Sequence, residues 1–249
     1  MASVLIRCLT NTENVHFKDG EGMNNASNPY AGKVVAVAIK KGGTGKSLIS
    51  LNIAPELKPD TFYDTDPTPA VTTFNGFRNE DIRWNVVRLT DDMENVVDRF
   101  IADVLEAKEK GQTVLVDCGG FDSSITRAAV ALADLIISPL KDDPSDILGL
   151  HEFSKVLDEI SAELGEKKIA HVVMNKVPPN RRNYSDIDNY IAQFDNLVRM
   201  ETAIPMDKAA PQQFGQGMGV VEHMTTRYSN VGNAMRSLFL DMRNAIEKV

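Results

Sequence analysis

The sequence holds only two cysteines, Cys8 and Cys118, and no Cys-x-x-Cys pair. That excludes a zinc ribbon and a cluster held by closely spaced cysteines, and it fits a reducing compartment. No stretch approaches the ~18 uninterrupted apolar residues that mark a membrane span. Met1 to Thr10 is broken by Arg7 and turns polar at once, so no secretory signal is expected and a cytoplasmic protein is. A cationic excess is also missing. Lys and Arg number 27 against 35 Asp and Glu, a formal charge of -8, so any nucleic-acid binding must use a local patch. No long Pro/Gly/Ser linker, internal repeat or low-complexity tract divides the chain. Its 249 residues, 43% apolar and 25% charged, are enough for one large α/β domain with a substantial core.

What is present is a regular alternation. Residues 1–32 read as an amino-terminal extension, with a short strand at Val4 to Leu9 and a Gly/Asn-rich loop from Asp19 to Gly32. The domain proper is expected over 33–249. Apolar runs recur at Val34–Ile39, Thr61–Tyr63, Thr113–Val116, Leu135–Ile137 and Ile169–Met174. Helical stretches separate them, which predicts crossover connections and a mostly parallel sheet flanked by helices. Helices are predicted over Asp91–Ala107, Pro144–Leu164 and Thr225–Val249. The last carries Tyr228, Val231, Met235, Leu238, Met242 and Ile246 on one stripe.

The first strand runs into Lys41-Gly42-Gly43-Thr44-Gly45-Lys46-Ser47-Leu48. A strict Gly-x-x-x-x-Gly-Lys-Ser reading expects glycine where Lys40 or Lys41 stands, yet the physical task survives. Gly42, Gly43 and Gly45 allow tight turns and close backbone approach. Backbone N–H groups then face phosphates at the start of a helix, whose amino end favours anions. Lys46 would hold the β- and γ-phosphates and Ser47 would place its hydroxyl on Mg²⁺. Two acidic segments, Asp64-Thr65-Asp66-Pro67 and Val116-Asp117, follow apolar strands. Carboxylates at the carboxyl ends of parallel strands face the ligand crevice of such a sheet. Asp117 is therefore a candidate Mg²⁺ partner; of Asp64 and Asp66, two apart, one can help order the metal's water shell and the other can position the attacking water.

The pair Lys41 and Lys46 around these glycines resembles the signature of the deviant Walker A ATPases, the group containing ParA, MinD, the nitrogenase iron protein and the tail-anchored-protein targeting ATPase. Within that group the chain is most similar to a small ParA-type plasmid or chromosome partition ATPase. The segments Asp64-Thr65-Asp66-Pro67, Val116-Asp117-Cys118-Gly119-Gly120, Met174-Asn175-Lys176-Val177 and Ala203-Ile204-Pro205 carry the likeness, which extends over Val34 to Val249. It implies a P-loop fold that works as a nucleotide-sandwich homodimer. Lys41 would reach across to the partner's phosphates, while Lys46 and Ser47 act in their own site. Asp66 matches the water-activating aspartate, Asp64 its metal-shell companion and Asp117 the Walker B aspartate. Asn175 matches the base-recognising residue, and Pro205 the wall beside adenine. ATP and Mg²⁺ are the implied cofactors. A lysine supplied by a second subunit adds positive charge where the transition state gathers negative charge, so turnover becomes tied to dimerisation.

The chain departs from that pattern in two places. Thr68 stands where Gln is usual after Asp-x-Asp-Pro, and Gly119-Gly120 replaces Pro-Pro. The short connection from Lys46 to Asp64, with Pro55 and Pro59, predicts a stubby first helix. The resemblance further implies nonspecific DNA binding by the ATP dimer, nucleoid association, a centromere- or cargo-binding adaptor that stimulates hydrolysis, and positioning of plasmid or chromosomal DNA. Candidate DNA contacts are Arg181, Arg182, Arg236 and Arg243, with Lys176, Lys208 and Arg227 beside them. Arg236 and Arg243 are seven apart and share a helix face. The alternatives are a MinD-like membrane-associated positioning ATPase and a ParA-like ATPase moving a non-DNA cargo. The acidic Asp241 and Glu247 in the last helix weaken attraction to anionic lipid.

Overall fold

A computed structural model describes residues 28–208, 212 and 214–247. The strand expected at Val4–Leu9, and most of the loop expected over Asp19–Gly32, lie outside the described residues. Seven strands form one sheet: β1 (Val34–Val37), β2 (Thr61–Asp64), β3 (Val86–Arg88), β4 (Val114–Asp117), β5 (Leu135–Leu140), β6 (Ala170–Val177) and β7 (Leu197–Pro205). Their order is β3-β2-β4-β1-β5-β6-β7. Every pairing is parallel. Among the described residues seven α-helices connect or follow them: α1 (Lys46–Leu57), α2 (Ala70–Phe77), α3 (Val96–Glu109), α4 (Ser124–Leu132), α5 (Pro144–Leu164), α6 (Ser185–Ile191) and α7 (Asn230–Ile246).

Strand periodicity builds two cores. Val34 and Ala36 enter one cluster, with residues of α3, α4, α5 and α6. Val35 and Val37 enter the other, with α1, α2 and α7. Successive residues of a strand point to opposite faces, so a strand buried on both sides must be apolar throughout, as Val34–Val37 is. Tyr30 packs fully buried among the second cluster, so residues 28–32 belong to the same body as the sheet.

The expected strands appear with shifted ends. β1 stops at Val37, two residues early, because Ala38 and Ile39 already turn toward the glycine loop. β5 runs on to Leu140 and includes Pro139. The Ile137 carbonyl accepts from the Ala38 amide, which makes the β1 side of β5 the side of residues 137 and 139. β1 has ended there, so the missing Pro139 N–H removes no ladder bond. β3 and β7 escaped the sequence reading. β3 is three residues long, and β7 interrupts its apolar residues with Arg199, Glu201 and Thr202, as an edge strand does.

Helix limits are set by caps. α5 matches its expected range: Asp143 accepts from the Ser145 amide, Pro144 occupies the first turn and Gly165 closes the end with φ +67°. α7 starts at Asn230 rather than Thr225, because the Ser229 hydroxyl accepts from the Gly232 amide. Tyr228 is therefore off the buried stripe and exposed. Residues 248–249 lie outside the described residues. α3 starts at Val96, and Met93 sits exposed in the preceding turn. The stubby first helix is a correction: α1 is 12 residues long, with Pro55 inside its last turn. Only one interior bond is lost to Pro55 there, and eight buried residues of α1 compensate.

Gly232 tests this packing. Alanine normally gains up to ~1 kcal/mol over glycine inside a helix. A Cβ at Gly232, however, would stand 2.4 Å from the Thr226 carbonyl oxygen and 2.6 Å from that of Arg227, both backbone atoms. Gly232→Ala is expected to destabilise the protein by ~1–3 kcal/mol, the usual cost of overpacking, and to lower the urea midpoint.

Candidate functional site

Three neighbouring strands bring the expected residues together. Register pairs Val37 with Asp117 and Asp64 with Asp117, so β1, β4 and β2 end at one level. The glycine loop leaves β1 at that level and enters α1. Gly45 caps the helix with φ +102°, a region that L side chains rarely adopt. It also has no room for one: a Cβ would meet Asn175 Nδ2 at 2.2 Å. Gly120 explains the departure after β4. A Cβ there would come within 3.0 Å of Gly42 Cα and N, so the second glycine lets the β4 loop lie against the phosphate loop.

Lys46 is almost fully buried and donates from Nζ to the Lys41 carbonyl at 2.8 Å. Burial pushes its pKa down, and the carboxylates of Asp117 and Asp66 oppose that. Asp64 and Asp117 are completely buried. Asp64 Oδ2 accepts from the Thr72 amide at 2.8 Å and the Thr72 hydroxyl at 2.7 Å. Asp117 Oδ1 accepts from the Ser50 hydroxyl at 2.7 Å. The other oxygen of each, Asp64 Oδ1 and Asp117 Oδ2, has no hydrogen-bond partner among the described residues, and neither has the buried Thr44 Oγ1. Buried oxygens without donors are costly, and a bound cation is one remedy. Asp64 and Asp117, with the Ser47 hydroxyl at the start of α1, could supply oxygen donors of the kind Mg²⁺ takes, an ion that needs few protein ligands.

Asp66 is half-buried. Its Oδ1 accepts from the Thr68 amide at 2.9 Å, and it lines the phosphate cavity. Arg88, at the end of β3, steadies this turn by donating to the Pro67 carbonyl at 3.0 Å. The cavity measures about 390 Å³ and is lined by Gly42, Gly43, Gly45, Lys46, Ser47, Leu48, Leu51, Asp66, Lys176 and Phe214. A larger cavity of about 580 Å³ opens at the opposite, amino-terminal ends of β5, β6 and β7, away from this chemistry.

Three expected residues have surroundings in the single chain that the sequence did not show. Lys41 turns onto its own chain: Nζ pairs with Asp146 Oδ1 at 3.0 Å and with the Ser145 hydroxyl, at the start of α5. Asn175 clamps the loop, donating from Nδ2 to the Thr44 carbonyl at 2.8 Å while Oδ1 accepts from the Lys176 amide. Pro205 lines a neighbouring cavity with Pro178, Pro179 and Arg182, not the phosphate cavity. Sequence reasoning missed Ser50, Thr72, Arg88 and Phe214. Ser50 alone had a signal, since it lies one helical turn beyond Ser47.

The basic residues divide. Arg181 is largely withdrawn into ion pairs with Asp142 and with Asp186 and packs 5.0 Å from the Tyr184 ring. Lys176 lines the phosphate cavity. Arg243 faces Glu56 at 3.8 Å. Arg182 and Lys208 are exposed, and the guanidinium groups of Arg227 and Arg236 flank exposed Tyr228 at 5.2 and 5.5 Å.

The buried carboxylate yields a prediction. Burial pushes Asp117 up from 3.8 to about 7; the nearby hydroxyls of Ser47 and Ser50 hold it down, Asp64 raises it and Lys46 lowers it. The folded state therefore binds this proton more tightly than the unfolded state. The associated stability is present below the unfolded pKa and is lost as pH rises through about 7. Ligand-free Asp117→Asn is expected to melt above the native protein at pH about 8, with the advantage shrinking steadily toward pH about 4. Thermal unfolding across that range measures it.

Comparison with known proteins agrees with this geometry. Residues 35–220 match the CbiA family, the CobQ/CobB/MinD/ParA nucleotide binding domain. Protein ParA of Rhizobium radiobacter is 26% identical over 210 residues, covering 82% of this chain and 91% of that protein. The MinD cell division protein of Aquifex aeolicus superposes with a TM-score of 0.64 at 15% identity, over 87% of this chain and 98% of that one. An ATP complex of McdA from Cyanothece gives 0.63 at 16% identity, over 86% and 96%. A glycine loop, its paired lysines and the aligned strand-end carboxylates are thus joined to a sequence match across most of the chain, and the protein belongs to the ParA/MinD family of nucleotide-binding ATPases.

Proposed function

We propose that this chain hydrolyses ATP in the presence of Mg²⁺ as a homodimer that closes on nucleotide and opens after turnover, and that it positions plasmid or chromosomal DNA. The observation that carries the reading is the pair of buried carboxylates, each with one oxygen lacking a donor, beside Lys46 and Ser47. Loop amides and Lys46 bind the β- and γ-phosphates. Ser47, Asp117 and Asp64 would hold Mg²⁺, which supplies charge neutralisation on the phosphate oxygens. Asp66 orients a water whose oxygen attacks the γ-phosphorus as the bond to the bridging oxygen breaks, giving ADP and phosphate. Lys41 leaves Asp146 and contributes its charge to the partner's site.

The DNA reading draws support from exposed Arg182 and Arg227, with Arg236 half-buried beside Tyr228, all suited to backbone phosphate contacts rather than sequence readout. In the ATP form such a protein would be cytoplasmic and nucleoid-associated, with an adaptor stimulating turnover. The membrane alternative needs a free amphipathic helix. In α7 the apolar stripe Val231, Met235, Leu238, Met242 and Ile246 is already buried in the core. Nor is any helix among the described residues long and apolar enough to cross a membrane.

Phosphate release and ATP binding test the enzyme. Lys46→Ala should lose ATP binding. Lys41→Ala and Asp66→Ala should keep most of it while turnover falls by ~100-fold or more, the scale of removing one transition-state contact. Normal turnover by Lys41→Ala would remove the role in the partner's site. For the partner surface, ATP-loaded protein is mixed with DNA and with anionic liposomes over a salt series. Expected is DNA binding that weakens steeply with salt and no pelleting with liposomes; the reverse pattern selects the membrane reading.

A further inference from the structure

The phosphate loop accounts for one end of the cavity, and its other end is apolar. Leu48, Leu51 and Phe214 line it together with Lys176. The two residues expected beside a base are elsewhere, since Asn175 is fully buried under the loop and Pro205 faces another cavity. Among the described residues, Phe214 is the one aromatic in the lining.

This ring is held in place. It opens a short 3-10 turn, Phe214–Gln216, in the segment between β7 and α7. Its ring meets Phe74 edge-on with centroids 5.3 Å apart, and Phe77 at 6.4 Å. Phe74 stacks on Trp84 at 5.9 Å and 9°, and the Arg78 guanidinium covers the Trp84 ring at 3.8 Å. Arg78 then returns to the same segment. It donates to the Gly217 carbonyl at 2.9 Å and makes a bidentate pair with Glu222 at 2.8 and 2.9 Å. Gly217, with φ +63°, fits against α2 so closely that a Cβ would stand 2.5 Å from the Arg78 nitrogen. The turn is therefore fastened on both sides, which fixes the aromatic face before any ligand arrives. A preorganised platform binds without an ordering cost.

We infer that Phe214 is the platform on which the nucleotide base stacks, with Leu48 and Leu51 as the apolar surface beside it. The inference rests on reading the cavity as an ATP site and adds how the base is recognised. Recognition here is through the π-face of a purine, because the amide best placed to read a base edge is engaged with the loop. Phe74, the ring that supports this platform, shares α2 with Thr72, the residue that fixes Asp64. One helix thereby supports both the aromatic platform and the buried Asp64.

The test compares Mg-ATP with inorganic triphosphate plus Mg²⁺, titrated into the full chain. Trp84, the sole tryptophan and two rings away from the site, gives an intrinsic fluorescence readout. Phe214→Ala and Phe214→Leu should weaken ATP binding by ~10- to 100-fold, the range of aromatic–base stacks, and leave triphosphate binding within about twofold. Phe214→Trp should bind ATP close to the native level, its binding followed by calorimetry. Unchanged ATP affinity in both Phe214→Ala and Phe214→Leu would overturn the inference. So would equal losses for ATP and triphosphate, which would make Phe214 a structural support. Failure of the underlying reading looks different: the native protein would bind neither ligand, or Lys46→Ala would leave both affinities intact.

Discussion

Parallel register places three strand ends at one level, and the site is assembled on that alignment. Val37, Asp117 and Asp64 are consecutive partners across β1, β4 and β2. A parallel ladder fixes which residues stand abreast, and a slip of one residue would send a strand's side chains to the other face. Asp117 would then point into the opposite apolar cluster. The alternation of Val34 to Val37 between two cores is what forbids the slip. Hydrophobic packing far below the cavity thus sets the position of two carboxylates at its floor.

That position is costly without a ligand. Two fully buried carboxyl groups share one end of the sheet, and Asp117 responds by holding its proton to about 7. The neighbouring donors, Ser50 and Thr72, satisfy one oxygen of each and leave the other open. Local stability has been given up at the place where a cation would restore it. The same logic explains the glycines. Gly45 and Gly120 bring backbone and Asn175 within distances that any side chain would violate, so loop, clamp and β4 turn pack as one unit.

Much of this was legible in the sequence because it depends on local chemistry. The Lys41-to-Ser47 loop, the Asp-x-Asp-Pro turn and the apolar β1, β4 and β5 can each be read from consecutive residues. Asp143, Pro144 and Gly165 made α5 readable to its ends. What could not be read depends on partners distant in the chain. β7 hides because an edge strand carries polar residues, and α1 outlasts Pro55 because tertiary burial outweighs one lost bond. Asn175 and Pro205 carry the right residue types, but only folding shows the first beneath the loop and the second in another cavity. Phe214 carried no signal at all, since its meaning comes from Phe74, Trp84 and Arg78.

On the proposed dimer, Lys41 would serve two states. In the single chain its ammonium pairs with Asp146, whose side chain is only 3% exposed, and its stem packs on Gly149. Asp146 has one further donor, the Lys141 amide at 3.1 Å. Removing Lys41 from this pair would leave a buried carboxylate short of charge, a loss below the ~3–5 kcal/mol of fully buried pairs because Lys41 is itself 27% exposed. Bulk water cannot offset that at a buried group. A triphosphate on a second subunit can, because it offers several negative oxygens in a site from which water is excluded. On the proposed dimer the lysine would therefore exchange one anion for another only when nucleotide is present across the interface. Closure without nucleotide would have to bear the full loss, and the Lys41–Asp146 pair would bias the empty protein toward the open, single-chain state.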